Sequence, residues 1–179
     1  MISRSAAALI VVDIQGSLFQ AMPDKDSLLL NSIKVIKGAG VFNMPIIATE
    51  QIPEKIGKTI SSIAQEIKGI DPVGKESYSC WGSDLFKEKL EALSRRTVII
   101  MGIEAHVCVY QTALDLIQNG YKVYAVADAV SSRTKENRDR GLAAMQSAGV
   151  HLTSAEMVLF ELLRSAGDAK FKEIYKILK

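Results

Sequence analysis

The most constraining feature of this chain is a short run with no polar residue: Ala7-Ala8-Leu9-Ile10-Val11-Val12, closed by Asp13. A strand with one face in water alternates apolar and polar side chains, whereas a strand covered on both faces is apolar throughout. The run therefore reads as a strand of a parallel sheet with helices on both sides. Thr97-Val98-Ile99-Ile100-Met101 repeats the pattern, and Gly102 is expected to end it. Pro45–Thr49, Ile70–Lys75, Tyr121–Ala127 and Val150–Thr153 supply four weaker strand candidates. Helical periodicity falls between them: near Ser27 to Gly38, from Trp81 to Leu93, from Tyr110 to the Asn119-Gly120 stop, and from Thr134 to Gly149. A last helix is expected after Asp168, with Phe171, Ile174 and Ile177 on one face. Glu50–Lys58 reads as a loop. Strands alternating with helices predict an α/β fold of three layers, doubly wound around a mostly parallel six-stranded sheet.

Composition narrows the function. The 179 residues fit one domain, 1–179, and can bury a full core without disulfides or metal. The formal net charge is only +2, with basic and acidic residues interspersed, so no nucleic-acid partner is expected. The Ala6–Val12 run is too short to span a membrane and no small-residue cleavage site follows it, so neither a membrane anchor nor secretion is expected. Two cysteines, Cys80 and Cys108, are expected as reduced thiols in a cytoplasmic protein. The first strand leads into Asp13-Ile14-Gln15-Gly16-Ser17, which lacks the Gly-x-Gly-x-x-Gly turn of a dinucleotide enzyme. His106 and His151 have no partner at ligand spacing, so no metal and no cofactor are expected.

Three residues fall where an open α/β sheet binds ligands, beyond the carboxyl ends of its strands. Cys108 follows the strand ending near Met101 and sits at an expected helix start, where free N–H groups and the helix dipole lower a thiol pKa and can hold an oxyanion. The bland alternative is a small buried apolar residue. Asp13 closes the first strand; it is a catalytic carboxylate or a simple turn residue. Lys75 ends the short third strand among Ser77, Tyr78 and Trp81, where an ammonium would favour a thiolate. If the first and fourth strands are neighbours, Asp13 and Cys108 face each other. Cys80 is a rival nucleophile beside Tyr78 and Trp81, or a wall of the same cleft.

The chain resembles the isochorismatase-like cysteine hydrolases over nearly its whole length. Leu9-Ile10-Val11-Val12-Asp13-Ile14-Gln15, Gly74-Lys75-Glu76-Ser77-Tyr78-Ser79 and Gly102-Ile103-Glu104-Ala105-His106-Val107-Cys108-Val109 carry the resemblance, together with Ala127-Asp128-Ala129 before Ser131 and Ser132. Thr49-Glu50-Gln51 and Tyr78-Ser79-Cys80-Trp81 resemble the isochorismatase domain-containing branch. The resemblance implies a triad of Asp13, Lys75 and Cys108. It implies a cis peptide between Ile103 and Glu104, with the backbone N–H groups of Glu104 and Cys108 as the oxyanion hole. It also implies a substrate site at Gln15, Phe19, Tyr78, Trp81 and Ile103, while the side chains of Glu104 and His106 have no assigned role.

Isochorismatases proper cleave a vinyl ether without a nucleophilic cysteine, so Cys108 points instead to acyl chemistry at an amide, as in nicotinamidase-like members. The implied activity is hydrolysis of a C–N bond in a small-molecule substrate through a thioester. The alternative is a non-catalytic binding or assembly module, or a thiol sensor, on the same fold. Assembly as a homo-oligomer (dimer, tetramer or larger) is also implied.

Overall fold

Strand β1 (Ala7–Val12) is buried at every position, as an unbroken apolar run must be. The computed structural model describes all residues from Met1 to Lys179. β1 pairs in parallel with β2 (Ile46–Gln51) on one side and β4 (Thr97–Ile103) on the other. β3 (Val73–Lys75) extends the sheet beyond β2; β5 (Lys122–Ser131) and β6 (His151–Thr153) extend it beyond β4. The order β3-β2-β1-β4-β5-β6 is parallel throughout. The chain order reverses between β1 and β4, and such a switch point leaves a crevice at the carboxyl ends of the two strands. The neighbour relation that brings Asp13 toward Cys108 is therefore present.

Alternate residues of β1 feed two cores. Ala7, Leu9 and Val11 pack with Leu28, Val35 and Ile36 of α2 (Lys25–Val41), and with Val158 and Leu162 of α8 (Ala155–Leu163). Ala8, Ile10 and Val12 face Phe86 and Leu90 of α5 (Asp84–Ala92), Ala113 and Leu116 of α6 (Tyr110–Gln118), and Leu142 and Met145 of α7 (Lys135–Ser147). Fully burying a side chain such as Phe86 or Leu90 is worth ~1.5–3 kcal/mol, so the two layers hold the sheet from both sides. Short helices α1 (Gly16–Gln20), α3 (Pro53–Ile56) and α4 (Ser61–Glu66) line the chain after β1 and β2, and α9 (Phe171–Leu178) closes the fold. No helix is long and apolar enough to cross a membrane.

Several boundaries differ from the sequence expectation. β2 continues through Glu50 and Gln51, expected as loop, because those residues pair with Gly74 and Lys75 of β3. Pairing overrides the weak strand preference of Glu and Gln. The expected helix from Trp81 splits into a 3₁₀ turn at Cys80–Gly82 and α5, because the Ser83 side chain caps Phe86 N–H and restarts the helix. α8 was not expected: Ala155–Leu163 is apolar on too many sides to show a helical stripe, and it docks between α2 and α9. Ser154 caps it through the Met157 N–H at 3.2 Å.

Gly102 does not end β4 as expected. It continues the strand with φ +124°, and a Cβ at this position would stand 2.0 Å from the Val12 carbonyl oxygen. Only glycine combines that dihedral with that approach. The register of β4 against β5 also shifts here, so that Gly102 pairs with Val130. A Gly102→Ala variant is expected to lose at least about 2 kcal/mol of stability, read as a lower urea midpoint at unchanged slope.

Candidate active site

Each strand end delivers one side chain to the crevice. Asp13 follows β1 in the left-handed region at φ +49°, a conformation that Asp tolerates better than most residues. Lys75 ends β3, and its register partner Gln51 ends β2. Beyond β4 the Ile103–Glu104 peptide is cis. Ala105–Val109 then form a π-helical turn, with Val109 N–H donating to Glu104 O at 3.2 Å, and Cys108 lies inside this turn. Sequence periodicity placed Cys108 at a helix start; α6 begins two residues later, at Tyr110. α7 lies against the turn closely enough that a Cβ on Gly141 would stand 2.8 Å from Ala105 O and His106 N.

The centre of the site is an ion pair removed from water. Lys75 Nζ donates to Asp13 Oδ2 at 2.7 Å, and both side chains have 0% exposure. The ammonium also donates to Gln51 Oε1 at 2.7 Å and lies 3.1 Å from the carbonyl oxygens of Ser77 and Tyr78. Asp13 Oδ1 accepts from the Thr49 hydroxyl at 2.6 Å. Both carboxylate oxygens are thus fixed by donors, which sets the plane of the carboxylate. The Cys108 thiol is buried at 6% exposure and lies 4.0 Å from Gln51 Oε1. The Cys80 thiol lies 3.7 Å from Thr49 Oγ1.

Electrostatics here differ from the expected lowered thiol pKa. Burial and the negative charge of Asp13 push the Cys108 thiol up to about 12, against the weaker opposing pull of Lys75; a hydrogen bond to Asp13 also favours the neutral thiol. Burial, then Asp13, pushes Cys80 up to about 11. Burial works against the charge of Lys75, but Asp13 and the two cysteines outweigh it and hold the ammonium above its ordinary value. The resting site is therefore a neutral thiol beside a carboxylate–ammonium pair. The helix dipole does not dominate, because Cys108 lies in a π turn ahead of α6 and burial and the Asp13 charge act on its thiol.

The side chains expected to line a substrate site divide. Tyr78 is 58% exposed and stands at the rim. Gln15 is spent: its Oε1 accepts Gln51 N–H at 2.6 Å and its Nε2 donates to the carbonyls of Gln51 and Gly57, so it braces β2. Ile103 and Phe19 are buried in the core on the α2 side of the sheet. Trp81 packs edge-on against Tyr121, at a ring-centroid distance of 5.7 Å, and that residue precedes β5 at the opposite sheet edge. These four side chains are engaged in the protein's own packing and hydrogen bonds, and of the five expected at a substrate site Tyr78 is the most exposed.

Glu104 is also buried, and its Oε2 accepts from Arg133 N (2.9 Å) and Nε (3.1 Å), pinning the turn that carries Cys108 to the end of β5. His106 Nδ1 lies 3.0 Å from Ser132 Oγ, a second tie of the same kind. His151 stacks on Tyr124 instead, and no three His, Cys, Asp or Glu side chains gather as a metal site. Sequence reasoning does not identify Thr49 and Gln51 as members of the site; each lies on β2, between β1 and β3, a position that reveals itself only once the strand order is known.

The isochorismatase domain family model matches residues 7–157, which take in all three strand ends. The chain belongs to this family. It is 33% identical to Isochorismatase family protein 2A of Dictyostelium discoideum over 186 aligned positions, covering 99% of this chain and 92% of that protein. Among solved structures it is similar to MAR1 ribonuclease from Caenorhabditis elegans, with TM-score 0.93, 31% identity, and coverage of 99% of this chain and 91% of that one. The YcaC product of Escherichia coli, described as an octameric hydrolase of unknown specificity, shares the fold with TM-score 0.92 at 24% identity, covering 98% of this chain and 89% of that one. The chain thus carries the isochorismatase hydrolase fold, as its three motifs implied.

The raised thiol pKa values make stability depend on pH with a definite sign. Between the ordinary thiol value of 9.0 and the folded values of about 11 and about 12, the native state holds protons that the unfolded chain has released. Stability from this source is complete below pH about 9 and falls as pH rises toward 12. Urea midpoints from pH 8 to 11 are expected to drop more steeply for the wild type than for a Cys80→Ala/Cys108→Ala double variant.

Proposed function

We propose that the protein is a cysteine-dependent hydrolase that cleaves a C–N bond of a small amide through a thioester on Cys108. The observation that carries this reading is the dry Asp13–Lys75 pair at 2.7 Å beside a neutral, buried thiol. A carboxylate paired with an ammonium, and aimed by a threonine, is a base placed to remove a thiol proton at the moment of attack. The reacting sulfur then need not be a standing thiolate.

In the first half-reaction Asp13 takes the Cys108 proton as the sulfur bonds to the amide carbon, and the carbonyl oxygen becomes an oxyanion. Backbone N–H groups of Glu104 and Cys108 are the donors we assign to it; no hydrogen bond within the protein takes up the Glu104 N–H. Asp13 returns the proton to the amine, the C–N bond breaks, and a thioester remains. In the second half-reaction Asp13 takes a proton from water, whose oxygen attacks the thioester. The carboxylic acid leaves as the proton returns to the Cys108 sulfur. Lys75, 2.7 Å from Asp13, holds the carboxylate in place through both halves.

A small substrate suits a sulfur that is 6% exposed and a lysine whose donors are all taken internally. The same features argue against RNA as substrate, although the solved relative from Caenorhabditis elegans is called a ribonuclease. Assembly into homo-oligomers belongs to the same proposal: α8 exposes Met157 (59%) and Phe160 (43%), and the related YcaC is described as octameric. A single domain is supported by a sheet that draws on strands from Ala7 to Thr153, and a cytoplasmic location by two unpaired cysteines.

The test is a panel of small primary and secondary amides, with a single-stranded RNA as control. Turnover of an amide, with a mass increase on Cys108 equal to the acyl group, is expected; RNA is expected to stay intact. Cys108→Ala should abolish both signals, Cys80→Ala should retain them, and Asp13→Asn should slow turnover by ~10²–10⁴-fold. Full activity in Cys108→Ala would sink the mechanism.

A further inference from the structure

The triad accounts for three of the polar side chains in the crevice and leaves a fourth without a task. Gln51 is 4% exposed and its carboxamide contacts two triad members at once. Oε1 accepts from Lys75 Nζ at 2.7 Å and lies 4.0 Å from Cys108 Sγ, within reach of the S–H. The orientation of the amide is determined by its other end. Nε2 donates to the Glu76 carbonyl at 2.7 Å, so only the oxygen can face the lysine and the thiol. The backbone on either side is clamped as well, by the reciprocal pair with the Gln15 carboxamide. A long, flexible side chain is thus held at both ends and aimed into the reacting centre.

We propose that Gln51 is a positioning residue for this hydrolase: its carboxamide oxygen orients the Cys108 S–H and the Lys75 ammonium together, so that the thiol proton is handed to Asp13 in one geometry. The proposal rests on Cys108 being the nucleophile. Its logic lies in the neutrality of the acceptor. An amide oxygen holds the ammonium without competing with Asp13 for its charge. It also holds the thiol proton without adding a second anion beside the sulfur. A carboxylate in the same place would do both of those things, and an apolar side chain would take one acceptor away from each donor.

Two substitutions separate these effects. In Gln51→Met the neutral S–H loses an acceptor, which favours the thiolate, while Asp13 and the carbonyls of Ser77 and Tyr78 still take the three ammonium protons. In Gln51→Glu a second negative charge beside the sulfur disfavours it. The probe is iodoacetamide, with the rate at each thiol mapped by mass spectrometry from pH 8 to 10.

At a fixed pH, Cys108 is expected to alkylate about 10-fold faster than wild type in the Met variant and about 10-fold slower in the Glu variant. Cys80 is the internal control, because its S–H faces Thr49 rather than Gln51. A general loosening of the crevice would speed both thiols in both variants. Despite its more acidic thiol, the Met variant should lose ~10–100-fold in kcat on the amide found above, with KM within about threefold. If one variant fails to fold, the other still carries a signed prediction.

Shifts of the same direction in both variants, no shift in either, or wild-type kcat in the Met variant would overturn the proposal while leaving the thioester mechanism standing. Turnover surviving in Cys108→Ala would instead remove the nucleophile and the role of Gln51 in catalysis with it, whatever the alkylation rates.

Discussion

Everything in the crevice is arranged around a carboxylate and an ammonium held 2.7 Å apart without water. Two ions in a dry site are costly to assemble, and the cost is offset only when every remaining donor and acceptor finds a partner. That requirement explains the surroundings. Thr49 takes the second oxygen of Asp13, while Gln51 and the carbonyls of Ser77 and Tyr78 take the remaining protons of Lys75. Removing either ion alone would strand the other, at a typical loss of about 3–5 kcal/mol. Stability and the proposed chemistry therefore draw on the same two side chains.

The sheet makes such a pair possible. Asp13 and Lys75 sit on strands that are not neighbours, with β2 between them. The strand in the middle must then supply small or amide side chains that complete the network, and Thr49 and Gln51 are two residues apart, on one face of it. Cys108 comes from the other side of the switch point, on a turn held by Glu104–Arg133 and His106–Ser132. Three loops from three strands converge because the strands are parallel and end at one edge.

Much of this was legible in the residues. The apolar runs at Ala7–Val12 and Thr97–Met101 identify buried parallel strands, and their polar successors lie at the functional edge. What was not legible depended on partners distant in sequence. Glu50 and Gln51 look like loop until β3 pairs with them. Gly102 looks like a strand end until Val12 lies against it. Gln15 and Ile103 look like substrate contacts by proximity in sequence to Asp13 and Cys108, yet one braces β2 and the other lies in the core. The thiol pKa was misjudged in sign for the same reason. Helix position is a local property, whereas the charge that dominates at Cys108 comes from Asp13, 95 positions away in the chain.

The contact between Gly141 and the backbone of Ala105 and His106 has a consequence for how this protein can vary. α7 is a surface helix, and most of its residues face outward with charged side chains such as Lys135, Glu136, Asp139 and Arg140. Drift on that outer surface is cheap. Position 141, in the middle of the same helix, admits no side chain at all unless the Ala105–Val109 turn gives way. One point on a tolerant surface element thus shares the mutational constraint of the turn that carries Cys108, transmitted by steric exclusion rather than by any bond.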